Sequence, residues 1–257
     1  MQYINHCVII HPQDNIKDII EHTGLIRESY ETHDGKVIYF IKKEIETLVK
    51  KHFYDLTKIN YEVVDNLDKT TIFKYMLGQY KNCKIRLFFG MFDKLRLDSY
   101  KNVFESKYNN ENYNPYTMYG FDESIRYDKF RINILEDDDM KTLKLLKSVA
   151  NMNYRIFASG PGIPIVYKRN STIAIQIDRV FDIKNYFDCV VLIKNTKHIH
   201  ITDQKDDLFS IFVFHLLRSN QYEYLFDKKS IYYFYNGQPP TTIDFVGNWK
   251  FIEAEIK

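Results

Sequence analysis

The chain has 257 residues, with 36 Lys and Arg against 34 Asp and Glu and a formal charge of +2. That length holds one large domain or two small ones, and the near balance of charge excludes a bulk electrostatic pull towards nucleic acid or an anionic membrane. Nine glycines and six prolines are too few for long flexible linkers, and no window is apolar enough to span a bilayer.

Three cysteines, Cys7, Cys83 and Cys189, are odd in number and far apart. They form no CxxC pair and no disulfide framework, so free thiols are expected, in the cytoplasm or another reducing intracellular compartment. The first residues show no basic start followed by a long apolar run, so no signal peptide is expected. The 21 Tyr and 19 Phe supply core or interface area, which composition does not separate. Frequent Ile, Lys, Asn and Tyr fit an AT-rich coding sequence of the kind carried by viruses and mobile elements.

In chain order, Tyr3–Ile10 reads as a strand, and Asp14–His22 as a short helix that Gly24 ends. The β-branched and aromatic run within Lys36–Ile41 predicts a strand, and the face made by Ile45, Leu48, Val49 and Phe53 predicts a helix over Lys43–Phe53. Thr70–Leu77 reads as a short helix and Lys84–Phe89 as a buried strand. From Tyr108 to Tyr119 the hydrophobic pattern vanishes, which marks a loop. Phe130–Leu135 reads as a strand and Asp137–Ala150 as a helix whose aspartates complement its dipole.

The Ser159–Pro164 break lacks the residues of a phosphate-binding loop and reads as a turn between strands at Tyr154–Ala158 and Ile163–Lys168. Further short strands are expected at Thr172–Ile177, Cys189–Ile193 and Thr196–Ile201. The segment Asp206–Asn220, DDLFSIFVFHLLRSN, is apolar on nearly every side, so it predicts a helix covered by the rest of the domain. Its leading aspartates and trailing Arg218 suit the two ends of a helix dipole. Ile231–Tyr235, a turn at Pro239-Pro240 and a last strand complete the chain. Without steady β-α-β alternation, the expected fold is α+β, a mostly antiparallel sheet packed around the Asp206–Asn220 helix. One compact domain over 1–257 is expected, or two lobes with a boundary near 108–119.

Two patterns carry candidate chemistry. At the end of the chain, Asp244 is followed on an apolar strand by Glu253, Glu255 and Lys257, which period-two alternation places on one face. The Asp244…Glu255-x-Lys257 pattern resembles the core of the PD-(D/E)xK nucleases. That resemblance implies a divalent metal such as Mg²⁺ or Mn²⁺ held by Asp244 and Glu255, with Lys257 positioning the attacking water, and a nucleic-acid substrate. The second pattern is His198-Ile199-His200, whose alternation sets both imidazoles on one strand face as a metal pair requires, with Asp203 or His215 as a third ligand.

The leading expectation is a non-catalytic binding or assembly protein, with no cofactor and no membrane, whose partner is another protein or a second copy of itself. The alternative is a metal-dependent nuclease or phosphohydrolase using Asp244, Glu255 and Lys257.

Overall fold

A computed structural model of the chain describes residues 4–10, 15–32, 36–65, 83–88, 116, 121–132, 154–157, 173–181, 186–203, 207–238 and 246–253. The chain divides into two compact units, Met1–Asn133 and Ile134–Lys257.

The first unit is built on a four-stranded sheet in the order β3-β2-β1-β4, comprising β1 (Ile4–Ile10), β2 (Lys36–Lys42), β3 (Ile59–Val64) and β4 (Cys83–Phe88). Every pairing in it is parallel. Parallel neighbours need a crossover, and helix α1 (Ile16–Thr32) returns the chain from β1 to β2, as α2 (Glu46–His52) does from β2 to β3. Val37, Ile38, Tyr39, Phe40 and Ile41 are all buried, so β2 is covered on both faces, as parallel strands are.

Helix α1 does not end at Gly24, against the expectation from the sequence. A Cβ on Gly24 would sit 2.3 Å from the carbonyl oxygen of Ile125, in the short helix α3 (Ile125–Asp128). The glycine is there for close backbone approach within a continuing helix. In the same turn, the buried Tyr116 hydroxyl enters the α1 ladder, donating to the Glu21 carbonyl at 2.8 Å and accepting from the Leu25 amide at 3.2 Å. Burial pushes this phenol above its ordinary range. Below it, Arg27 grips Asp55 through two parallel bonds, at 2.8 and 3.2 Å.

The second unit holds a five-stranded sheet in the order β6-β5-β7-β8-β9. Its strands are β5 (Tyr154–Phe157), β6 (Ile173–Gln176), β7 (His198–Thr202), β8 (Ser230–Tyr235) and β9 (Asn248–Glu253). Here too every pairing is parallel. The expected mostly antiparallel α+β sheet is therefore wrong, and the arrangement is of α/β type. The physical reason lies in the connections: β7 and β8 are joined through a helix, which brings the chain back to the end where it began.

That helix, α6 (Leu208–Arg218), follows the one-turn α4 (Ile177–Val180) and the short α5 (Val190–Asn195). Its sequence dictates its burial: Phe209, Phe212, Val213 and Leu216 repeat at helical spacing and are all fully buried. Phe212 meets Tyr186 and Phe187, with ring centroids 6.1 and 5.5 Å away. Asp207 is the N-cap, its carboxylate accepting the Ser210 amide at 3.1 Å. The run Cys189–Ile193, read from its β-branched residues as a strand, instead closes a 3₁₀ turn (Tyr186–Cys189) and opens α5. Packing of Cys189, Val190, Leu192 and Ile193 into the core overrides their local preference.

The helices Thr70–Leu77 and Asp137–Ala150 and the strand Ile163–Lys168 lie outside the described residues, as does most of Tyr108–Tyr119. Among the described residues no helix is long and apolar enough to cross a membrane.

Candidate functional site on the two faces of the second sheet

The alternation of β7 puts His198 and His200 on one face, and the strand order decides what stands beside them. Arg155 of β5 is the register partner of His198, and Phe157 that of His200. On the other side Tyr232 pairs with His200, and Lys250 of β9 pairs with Tyr232. The face therefore reads Arg155, His198, His200, Tyr232 and Lys250 across four adjacent strands. None of the strand residues that alternate onto it is acidic.

The His200 ring lies stacked between two aromatic neighbours on β8, Tyr232 at 4.5 Å and 15° and Phe234 at 5.7 Å and 19°. Lys250 Nζ sits 4.9 Å over the Tyr232 ring and 3.3 Å from its hydroxyl. Burial, reinforced by the positive charge of Arg155, pushes His200 down to about 4. His198 is lowered by the same causes, with Lys250 and Lys197 adding to them. Three buried polar atoms on this face, Arg155 Nε, His198 Nδ1 and His200 Nε2, have no hydrogen-bond partner among the described residues.

The opposite face carries the helices. Tyr154 donates to the Leu192 carbonyl of α5 at 3.1 Å, and Phe214 of α6 packs against Tyr233 at 5.9 Å. Towards β9 this face becomes an aromatic cluster. Trp249 and Phe251 stack at 6.2 Å and 16°, and Tyr233 meets both edge-on. Phe251 is 43% exposed, while Trp249 is half-buried. Gly247, at φ +111°, leads into β9 in a conformation that side-chain-bearing residues rarely adopt.

β9 is an edge strand: among the described residues it has β8 on one side and no strand on the other. The Asn248 amide donates to the Lys229 carbonyl at 2.8 Å. In a parallel ladder, bonding groups alternate between neighbours, so Lys250 and Ile252 also face β8, and the amides of Phe251 and Glu253 point outward.

Of the residues singled out in the sequence, His198 and His200 share a face as expected. Neither candidate third ligand groups with them. Asp203 accepts the Asn236 amide at 2.9 Å, and His215 Nδ1 sits 2.9 Å from the carbonyl of Ile211 in its own helix. Among the described residues no group of three or more His, Cys, Asp or Glu side chains could hold a metal ion. Asp244, Glu255 and Lys257 lie outside the described residues, and Glu253 ends β9, exposed. Cys189 is buried and forms no disulfide. Arg155, Tyr232 and Lys250 were missed in the sequence. Each lies in a short apolar run where a polar residue at alternate positions is the available signal, and only the strand order joins them.

No protein family and no curated protein sequence matches this chain.

Proposed function

We propose that this chain is a non-catalytic binding protein whose second unit takes up an extended segment of a partner protein along the outer edge of β9. The observation that carries the reading is Phe251, a large aromatic residue 43% exposed on an edge strand and stacked on Trp249. Proteins usually blunt such edges with charge, because unpaired backbone groups beside apolar side chains invite another strand. Lys250 does not serve that end, since its ammonium is held over Tyr232 on the other face. Strand addition draws affinity from main-chain hydrogen bonds and specificity from alternate side chains. The outward amides of Phe251 and Glu253 supply the first, and the Tyr233–Trp249–Phe251 cluster supplies the second. The odd, widely spaced cysteines and the undisulfided Cys189 support a reducing compartment as the place where this happens.

Selection of random peptides displayed against the purified chain tests the reading. Enriched peptides should alternate apolar residues and bind wild type. They should lose binding to Phe251→Glu and to Glu253→Pro, which removes one outward amide and leaves the ladder to β8 intact. Glu253→Ala should bind normally. Equal binding to Glu253→Pro and wild type would overturn the proposal. So would a concentration-dependent dimer abolished by the same substitutions, which would make the occupant a second copy.

A further inference from the structure

On the opposite face of the same sheet, and independently of the β9 edge, we infer a binding site for a phosphate-type oxyanion formed by Arg155, His198 and His200. Three nitrogen atoms from two adjacent strands are withdrawn from water there, and none meets an acceptor among the described residues. Such groups are normally satisfied in a folded protein, and one left orphaned calls for an explanation. Three on neighbouring register positions point to a common missing partner. His200 is nine-tenths buried, and its ring is fixed by Tyr232 and Phe234, so Nε2 has a set direction.

The charge around these atoms selects the class of ligand. Arg155 stands beside His198 in register, Lys250 lies over Tyr232 two strands away, and the strand residues on the face include no carboxylate. A guanidinium adjacent to the imidazoles repels a metal cation and attracts an anion. A neutral imidazole still offers one N–H, and a guanidinium offers several. Donors spread over two strands, rather than one planar fork, suit a tetrahedral oxyanion with oxygens aimed in different directions.

Histidine ring resonances of the full-length wild-type chain, followed at fixed pH and ionic strength, test this. Eight histidines are present, and only those of His198 and His200 should move saturably as inorganic phosphate is added. Sodium chloride at matched ionic strength should leave them in place. Adenosine 5′-monophosphate, titrated in parallel, distinguishes the sources of the anion: tighter binding than inorganic phosphate means a ring-bearing monoester, and equal binding means free phosphate. Calorimetric affinity for phosphate should fall at least about tenfold in Arg155→Met and in His200→Phe, each shown to be folded by circular dichroism, through loss of a charge-assisted or buried hydrogen bond. Absence of a saturable shift in wild type would overturn the inference. Affinity that persists in both variants would overturn it too, as would Zn²⁺ moving these two resonances where phosphate does not.

Discussion

His52, at the end of α2, is held neutral by the fold, and this makes the stability of the protein depend on pH in a calculable way. Its pKa is pushed down to about 3, first by burial and then by the neighbouring Arg27 guanidinium, with Asp55 opposing. The hydrogen bonds also fix its tautomer. Thr23 Oγ1 lies 2.6 Å from the Ile19 carbonyl, which can only accept, so the hydroxyl proton goes there. The same oxygen then accepts from His52 Nε2 at 3.0 Å, which places the ring proton on Nε2. Unfolding restores an ordinary imidazole of pKa near 6.5. Between the two values the unfolded chain binds more protons than the folded one. Stability therefore rises with pH across that window, and is lost as pH falls below about 6.5. At pH 5 the loss attributable to this residue is about 2 kcal/mol, from roughly 1.5 pKa units at 1.36 kcal/mol each. Urea unfolding followed by far-ultraviolet circular dichroism at pH 7 and pH 5 measures it. His52→Gln keeps a donor near Thr23 but does not titrate, so its fall in stability between the two pH values should be about 2 kcal/mol smaller than that of wild type. Equal falls in the two proteins, or a His52 resonance titrating near its ordinary value, would refute the reasoning.

Other substitutions probe the packing and the alternative chemistry. Gly24→Ala should destabilise the chain by about 1–3 kcal/mol in urea melts, because the added methyl meets the backbone of Ile125, which has no rotamer to yield. Phe212→Ala should cost roughly 3–5 kcal/mol, since the ring is fully buried between α6 and the Tyr186–Phe187 turn. Mg²⁺ or Mn²⁺ should not raise the melting temperature in a manner that Glu255→Gln removes, and no metal-dependent cleavage of DNA or RNA should be detected. A shift lost in Glu255→Gln, with cleavage lost in Lys257→Ala, would replace the binding reading with a nuclease.

Much of the local structure was legible because it is locally encoded. The all-round apolar segment gave α6 and its buried Phe212 and Leu216, and β-branched runs gave β2, β7 and β8. Strand direction was not legible. Val37–Ile41 is an unbroken apolar run buried on both faces, the pattern of a parallel strand, but without the order of its neighbours it was read only as a strand. Gly24 misled because a glycine that ends a helix and one that admits another backbone look alike in sequence. The pairing of His198 with His200 followed from alternation alone. Its meaning did not, because Arg155 and Lys250 become neighbours only through the order β5-β7-β8-β9.

Backbone amide exchange along β9 tests the proposed edge most directly, and needs no partner in hand. Lys250 and Ile252 belong to the ladder with β8, whereas Phe251 and Glu253 face outward. In the free chain the amides of Phe251 and Glu253 should exchange at least about tenfold faster than those of Lys250 and Ile252, and should become protected when a selected peptide binds. Amides of Phe251 and Glu253 already as protected as their neighbours in the free chain would mean that the edge is covered, and would contradict strand addition as the function.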